Sequence, residues 1–294
     1  QNNSANDQQI KELQDPTDAQ DAVTLSVLLE KISALQGQIS ALQATTGSGT
    51  VTDIDGNSYA FLTYGNQVWT VENAEMETYR DGTEIPQVTE YDEWAALTTG
   101  AWCYYENDET KGKLYNWYAV MGIHDAIETT PNKEFAPEGW HVPSDAEWTT
   151  IEEYLIANGY NYDGTTEGNK IAKAMASTTG WNSSTELGAV GNYQSLNNRS
   201  GFNAFPVGGR IFGGSFPPDG EDGLFWSSTQ YGSSYLRYYS LNSNTNYLYT
   251  VENNDLEELK RNGLSVRFVR DGNDLNDFVG SWVLNTRTQD GIEL

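Results

Sequence analysis

The sequence predicts an α+β domain with irregular loops, preceded by an N-terminal coiled-coil helix. Three observations support this fold class. Apolar residues near the N-terminus repeat with the spacing of heptad a and d positions. Short runs of alternating apolar and polar residues, separated by Gly and Asn, indicate strands and turns. A helix start signal lies at the centre of the chain, where Ser144 stands three residues before Glu147.

Charge and composition restrict the partners that the chain can bind. Its 294 residues include 16 Lys and Arg against 42 Asp and Glu, a formal net charge of −26. Nucleic acids and anionic membranes both need a positive protein surface, so we expect neither as a partner. The surface carboxylates are compatible with binding of a structural calcium ion, and no other cofactor is expected. The apolar runs are too short to span a bilayer, and the chain starts without Met, as processed exported proteins do. We therefore expect an extracellular or cell-surface location.

The N-terminal part predicts a stalk. Residues 1–22 are polar and contain Pro16, so they are expected to be a tether. Residues 23–44 predict a coiled coil, and residues 45–50 are a small-residue hinge. Fewer than three heptads are marginal for a lone helix, so either self-association or docking onto the domain must stabilise it. A dimer is favoured, with a trimer open. The predicted oligomerisation residues are Leu25, Leu28, Ile32, Leu35, Ile39 and Leu42.

The first half of the domain alternates strands and turns. Residues 51–54 and 58–63 predict a hairpin, and residues 67–71 predict the next strand. A short helix is expected at residues 94–97 and a buried strand at residues 101–105. Cys103 lies among aromatic residues, so we expect it to be buried and inert, the alternative being a reactive thiol.

The central segments give both clear and ambiguous signals. Residues 112–120 are compatible with a strand or a helix. The capping box formed by Ser144 and Glu147 predicts the helix Asp145–Ala157, with Trp148, Ile151, Tyr154 and Leu155 on one face. We expect a hydrogen-bonding role for His141, the alternative being a catalytic or metal-binding role. A second short helix is expected at residues 168–175, a loop at residues 181–200, and close loop packing at Gly208 and Gly209.

The C-terminal segment predicts a binding surface between two apolar anchors, Trp226 and Phe268. Residues 227–229 favour a turn, and residues 264–270 alternate as a half-buried strand does. In residues 227–250, six Tyr, six Ser and three Asn account for 15 of 24 positions. Antibody paratopes use the same residue types, because Tyr gives contact area at low entropic cost. The alternative is an edge hairpin with aromatic cross-strand pairs. The predicted ligand-binding residues are Tyr231, Tyr235, Arg237, Tyr238, Tyr239, Asn242, Asn244, Asn246, Tyr247 and Tyr249.

Six motifs occur in order along the chain: VTDIDGNSY (residues 51–59), GKLYNWYAV (112–120), APEGWHVPSDAEW (136–148), SGFNAFPVGGR (200–210), FWSST (225–229) and GLSVRFVRD (263–271). They resemble the motifs of the Fibrobacter succinogenes major paralogous domain (FISUMP) family. The resemblance covers about residues 51–271 and implies a fold similar to C-type-lectin-like and formylglycine-generating-enzyme-like domains. Residues 272–294 then form a C-terminal extension, in which residues 281–286 are either a further strand or the start of a truncated module.

Three functions are compatible with these features. The favoured one is a non-catalytic binding module that presents the tyrosine-rich surface to a surface glycan or a protein receptor. The sugar-binding motifs of calcium-dependent lectins are absent, since Trp226-Ser227-Ser228 stands where one would be expected. An enzyme like the formylglycine-generating relatives would need two cysteines to hold copper, and the chain has one. The third function is a structural subunit of a surface filament, assembled by strand addition.

Overall fold

The computed structural model describes residues 48–272, except residues 128, 233–234 and 254. Short helices and strands alternate with long irregular segments, so the chain has a mixed fold rich in β-structure. The strands are β1 (Ser48–Thr52), β2 (Ser58–Tyr64), β3 (Gln67–Thr70), β4 (Trp102–Tyr104), β5 (Lys113–Tyr115), β6 (Asp222–Tyr231), β7 (Tyr235–Asn242), β8 (Tyr249–Asn253) and β9 (Val269–Asp271). The helices are α1 (Tyr91–Ala95), α2 (Trp117–Val120), α3 (Asp145–Ala157), α4 (Ala172–Met175) and α5 (Leu256–Leu259), with 3₁₀ turns at Tyr105–Asn107, Glu109–Lys111 and Gln194–Leu196.

These strands form three sheets. The first has the order β1-β2-β3-β9, so the last strand lies beside the N-terminal hairpin. Trp69 pairs with Leu62 on one side and with Val269 on the other, both antiparallel. The second sheet contains β4 and β5. The third has the order β6-β7-β8, in which Trp226 lies opposite Tyr238.

The N-terminal hairpin of β1 and β2 was predicted, but β1 lies at Ser48–Thr52 and not at residues 51–54. Strands β2 and β3 lie where the alternation placed them, on either side of a turn at Gly65. Strand β1, however, includes residues 48–50, which the composition assigned to a hinge. Small residues permit a hinge but do not prevent an extended strand, and here β2 supplies a pairing partner.

Helix α3 has the predicted bounds and the predicted cap. The Ser144 hydroxyl accepts a hydrogen bond from the Glu147 N–H at 3.3 Å, and Glu147 Oε2 accepts one from the Ser144 N–H at 2.7 Å. Both bonds of the capping box are therefore present. Trp148, Ile151 and Leu155 are buried on the inner face of the helix. This helix fixes the position of Asp145, its first residue.

The ambiguous run at residues 112–120 contains both a strand and a helix. Strand β5 ends at Tyr115, and helix α2 begins at Trp117. Asn116 separates the two because its side chain accepts hydrogen bonds from the Ala119 N–H at 2.9 Å and from the Ala101 N–H at 3.0 Å. It therefore caps the helix and at the same time holds Ala101, the residue before β4.

The core is built around tryptophans and two buried arginines. Trp69 and Trp148 meet edge to face with ring centroids 4.8 Å apart, and Trp226 is fully buried as predicted. Arg210 and Arg267 are also buried, and each is satisfied by backbone carbonyl oxygens. Burying a cation is costly unless all its donors are bonded, so these carbonyls must be held in place by the fold.

Two predictions for the C-terminal segment are wrong. Residues 227–229 do not form a turn, because β6 continues through them with a register shift between Trp226 and Gln230. Residues 264–270 are not a half-buried strand. Ser265 and Arg267, on the polar side of the alternation, are as buried as their apolar neighbours, and β9 begins only at Val269. Alternation predicted one solvated face, but other segments cover both faces here.

The remaining short elements differ from the predictions in their bounds. Helix α1 starts three residues before Trp94. Helix α4 is shorter than predicted, since Asn169 is bonded through its side chain to both backbone groups of Leu248 and is thereby held outside the helix. Gly209 confirms the predicted close packing, because an added Cβ would lie 3.0 Å from the Leu264 side chain.

Some predictions concern segments that the structure does not describe. The tether at residues 1–22, the coiled coil at residues 23–44 and the strand candidate at residues 281–286 lie outside the described residues. Among the helices that are described, none has the length and apolar character needed to cross a membrane.

Candidate functional site

The first candidate site is the tyrosine–arginine cluster, formed by Tyr231, Tyr235 and Arg237 with the carboxylates of Asp145 and Glu252. Tyr231 and Tyr235 are cross-strand neighbours on β6 and β7, and their rings stack at 4.8 Å with 25° between the planes. The Arg237 guanidinium carbon lies 4.6 Å from the centre of the Tyr231 ring. A cation on an aromatic face in this geometry contributes about 0.5–2 kcal/mol. Two strands thus present two rings and a cation as one unit.

Carboxylates on both sides hold the guanidinium of Arg237. Its Nη1 donates to Asp145 Oδ2 at 2.5 Å, and its Nε donates to Glu252 Oε1 at 2.8 Å. The Tyr231 hydroxyl donates to the same Asp145 oxygen at 2.7 Å. Burial alone would raise the pKa of Asp145, but the hydrogen bonds from Tyr239 and Tyr231 and the charge of Arg237 hold it below its ordinary value. The cluster is therefore fixed by its own polar contacts, while its rings stay partly exposed.

Tyr239 does not belong to this surface, although the sequence placed it there. It is only 2% exposed and stacks on Trp148 at 4.7 Å. Its hydroxyl donates to Asp145 Oδ1 at 2.5 Å. Burial, together with this bond, raises its pKa above the ordinary range of tyrosine. Tyr238 projects from the opposite face of β7 and packs edge-on against Trp226, so it is half-buried. At Tyr238 and Tyr239 both faces of β7 are in contact with other side chains, which the residue types could not reveal.

The other predicted residues form a separate patch at the turn between β7 and β8. Tyr247 and Tyr249 are 39% and 49% exposed and lie 5.9 Å apart. Asn244 is exposed and Asn246 half-buried beside them, whereas the amide of Asn242 is bonded to Asp222. Tyr249 pairs with Ser240, five residues along β7 from Tyr235, which corresponds to roughly 17 Å. The ten predicted residues therefore do not form one continuous surface.

The second candidate site is a cleft of about 740 Å³, which the sequence did not indicate. We call it the acidic cleft. Segments far apart in the chain line it: the turn before β2, the residues after β3, the turn before β5, and residues 203–207. Its polar lining includes Asn57, Glu72, Glu75 and Asn203, and its apolar lining includes Phe205.

Glu75 is the most unusual group of the acidic cleft. Burial raises the pKa of its half-buried carboxyl, although the charge of Lys113 acts in the opposite direction. Its Oε1 accepts a long hydrogen bond of 3.4 Å from the Lys113 N–H. Gly112 makes room for this carboxylate, because an added Cβ would lie 2.9 Å from Oε1. A carboxyl with a shifted pKa in a large cleft is a typical feature of functional sites.

Arg267 fixes the back wall of the acidic cleft. Its Nε donates to Asn73 Oδ1 at 2.7 Å, and Nη2 donates to the Asn203 carbonyl oxygen at 3.2 Å. Nη1 donates to the carbonyl oxygens of Thr70 and Phe202. Burial lowers the pKa of Arg267 to about 9, which leaves it charged at neutral pH. One side chain thus joins three segments that line the cleft.

The arrangement can be compared with known protein families. The family model of the Fibrobacter succinogenes major domain matches residues 62–270. The chain belongs to this family. A search of curated proteins and a search of solved structures found no match. The Fibrobacter major domain match includes the whole tyrosine–arginine cluster, whereas Asn57 of the acidic cleft precedes it.

The motifs of the Fibrobacter major domain contain residues that line the cleft. Asn57 belongs to the motif at residues 51–59, Gly112 to the one at 112–120, Asn203 and Phe205 to the one at 200–210, and Arg267 to the last. Each motif explained a local turn or strand by itself. Only their convergence in space shows that they line one cavity.

Cys103 and His141 have the environments that the sequence predicted for them. Cys103 is buried as predicted, and burial raises its pKa to about 11 despite the nearby Arg210. His141 makes the expected hydrogen bond, through Nε2 to Glu147 Oε1 at 2.5 Å. Within residues 48–272 as described, no group of three or more His, Cys, Asp or Glu is placed to hold a metal ion.

Proposed function

We propose that the chain is a non-catalytic, exported binding module that recognises a surface glycan, with a surface protein as the alternative ligand. The observation that carries this proposal is the tyrosine–arginine cluster. Tyr and Arg are the residue types that dominate binding energy in interfaces. Here they are stacked and anchored before any ligand arrives. Pre-organised side chains lose little conformational entropy on binding, which favours affinity.

The contacts that the cluster offers follow from its hydrogen bonds. Arg237 is already paired with Asp145 and Glu252, and the Tyr231 hydroxyl is engaged. The polar atoms of the cluster therefore fix its geometry. The exposed parts of the Tyr231 and Tyr235 rings provide the contact area for a ligand. Aromatic faces pack well against the C–H surfaces of sugar rings and against apolar protein side chains. The proposal also includes a C-type-lectin-like fold and a cell-surface location, where the two rings would be accessible to a glycan.

A glycan array probed with the intact chain tests this function. We expect binding to a defined subset of glycans, and among those that Phe205→Ala still binds as tightly as the wild type, Tyr235→Ala should weaken binding at least about tenfold. Tyr91→Ala is the matched control, because Tyr91 is an exposed tyrosine on helix α1, outside the cluster. Equal loss in both variants would indicate a general effect of removing surface tyrosines and would contradict the proposal.

The proposal includes presentation of the domain on an oligomeric stalk at residues 23–44. Replacing Ile32, Leu35 and Ile39 by Asp places charges in the a/d seam and should give monomers with an intact domain. Analytical ultracentrifugation measures this change. A wild-type chain that is already monomeric at micromolar concentration would exclude the stalk.

A second candidate function is a structural subunit of a surface filament. Strand β8 ends the third sheet and, within the described residues, pairs only with β7. An edge strand can add a strand from another chain. A charge at this edge, as in Thr250→Lys, should then prevent growth of filaments seen by electron microscopy. If the wild-type chain forms no filaments at any concentration, a filament function is excluded.

A further inference from the structure

The acidic cleft has the size of a ligand site, and it is separate from the tyrosine–arginine cluster. Its volume of about 740 Å³ lies inside the range of roughly 300–1,000 Å³ that holds small-molecule ligands. None of the five cluster residues lines it. Ligand recognition at the cluster therefore leaves the cleft unexplained.

Several polar groups in the cleft keep hydrogen-bonding capacity. Glu72 uses Oε2 to accept from the Ala60 N–H at 2.7 Å, and Glu75 uses Oε1 for its long bond to Lys113. The second carboxylate oxygen of each has no partner among the described residues. The Asn57 amide donates through Nδ2, which leaves its Oδ1 as a third acceptor.

Asn203, which also lines the cleft, contributes a donor. Asn203 accepts through Oδ1 from Asn198 Nδ2 at 3.1 Å, so its own Nδ2 is left without a protein partner in the described part of the chain. Three acceptors and one donor thus border the same cavity. A hydroxyl group both donates and accepts, so a ligand with several hydroxyls can satisfy all four.

An aromatic ring completes the lining. Phe205 is 44% exposed and borders the cleft together with Pro206 and Val207. An exposed aromatic ring beside convergent polar groups suits a ligand with one apolar face and a rim of hydroxyls, as sugar rings have. The wall is rigid, because Arg267 holds Asn73 and the Asn203 carbonyl in place, so little ordering is needed on binding.

The charges of the cleft favour an uncharged ligand over an anion. Glu72, Glu75 and Asp219 line it, against the cations of Lys111 and Arg267. Lys111 is paired with Asp219 at 2.5 Å, and the donors of Arg267 are directed to backbone and amide oxygens. The lining carboxylates outnumber the lining cations by three to two, so the charge that a ligand meets is net negative and repels an anion.

We propose that the acidic cleft is a binding site for an uncharged saccharide of about disaccharide size. Hydroxyl groups of the sugar donate to Glu72, Glu75 and Asn57, and one sugar face packs on Phe205. The contact is independent of the tyrosine–arginine cluster. The carboxylates weaken the binding of a negatively charged sugar acid relative to that of a neutral sugar.

Isothermal titration calorimetry with the intact chain tests this site, using cellobiose, maltose, lactose and chitobiose as probes. We expect at least one of them to bind with a dissociation constant of about 1 mM or lower. Phe205→Ala should weaken that binding at least tenfold. Phe212→Ala is the matched control, since Phe212 is similarly exposed but does not line the cleft, and it should leave the affinity unchanged.

A second pair of variants tests the role of the carboxylate. Glu75→Gln should weaken saccharide binding at least tenfold, because it replaces an acceptor by a donor. Glu77→Gln removes the same charge two residues away, outside the cleft lining, and should have no effect. Glucuronic acid should bind more weakly than glucose in the wild type, and this preference should diminish in Glu75→Gln.

Three results would overturn the cleft assignment. The first is the absence of detectable binding for every neutral disaccharide. The second is binding that Phe205→Ala and Glu75→Gln leave unchanged. The third is disaccharide binding that Tyr235→Ala abolishes while Phe205→Ala retains it, which would place the saccharide at the tyrosine–arginine cluster and support the proposed function alone.

Discussion

Asp145→Asn should destabilise the domain, because Asp145 connects helix α3 to the tyrosine–arginine cluster. Its Oδ2 accepts from Arg237 at 2.5 Å and from Tyr231 at 2.7 Å, and its Oδ1 accepts from Tyr239 at 2.5 Å. Asparagine has nearly the same shape but no charge, and it has only one acceptor oxygen. If that oxygen keeps the bond to Tyr239, the amide NH₂ faces two donors.

The magnitude follows from the bonds that are lost. A hydrogen bond to a charged group contributes about 1.5–3 kcal/mol and a neutral one about 1 kcal/mol. The charge at the N-terminus of α3 adds about 0.3–1 kcal/mol. Arg237 retains Glu252 and some solvent contact, which offsets part of the loss. We therefore expect Asp145→Asn to lower the free energy of unfolding by about 2–4 kcal/mol.

Urea denaturation followed by tryptophan fluorescence measures this change at neutral pH. Glu252→Gln is the matched control, since it removes the other carboxylate of Arg237 at an exposed position. An exposed ion pair contributes about 0–1 kcal/mol, so this variant should be nearly as stable as the wild type. A cost for Glu252→Gln equal to that of Asp145→Asn would refute the role assigned to Asp145.

The pH dependence gives a second check on the same residue. The pKa of Asp145 is lower in the folded chain than its ordinary value. Its contribution to stability is therefore complete above the ordinary pKa of aspartate and is lost as the pH falls through the lowered value. The stability difference between wild type and Asp145→Asn should disappear over that acidic range.

Three further predictions concern the core, a histidine pair and the thiol. Trp226→Ala should cost about 3–5 kcal/mol in urea denaturation, because Trp226 is fully buried, whereas Tyr235→Ala should cost far less. The hydrogen bond to Glu147 raises the pKa of His141, so its stabilisation is complete below the ordinary histidine pKa and is lost as the pH rises through the raised value; His141→Gln should remove this dependence. Cys103 should react with a thiol reagent only after denaturant is added.

Structural features that depend on neighbouring residues were predicted well from the sequence. The capping box of Ser144 and Glu147 involves residues three positions apart, so it could be recognised without knowledge of the fold. Asn116 was a weaker case, because the strand before it and the helix after it share an apolar run. The structure shows both, divided at the residue whose side chain caps the helix.

Features that depend on distant segments were not predicted. Tyr239 is buried because Trp148 and Asp145 of helix α3 contact it, and nothing near Tyr239 in the sequence indicates this helix. Arg267 alternates with apolar residues as a solvated side chain would, yet carbonyl oxygens of Thr70, Phe202 and Asn203 surround it. The acidic cleft was missed for the same reason, since its lining comes from many separate segments.

The dissociation constant for the strongest array glycan that Phe205→Ala still binds as tightly as the wild type, measured for the wild type, Tyr235→Ala and Tyr91→Ala, tests the proposed recognition most directly. The tyrosine–arginine cluster predicts that Tyr235→Ala weakens binding at least about tenfold, or about 1.4 kcal/mol, while Tyr91→Ala leaves it unchanged. A wild-type chain that binds no glycan, or a Tyr235→Ala variant that binds as tightly as the wild type, would contradict it.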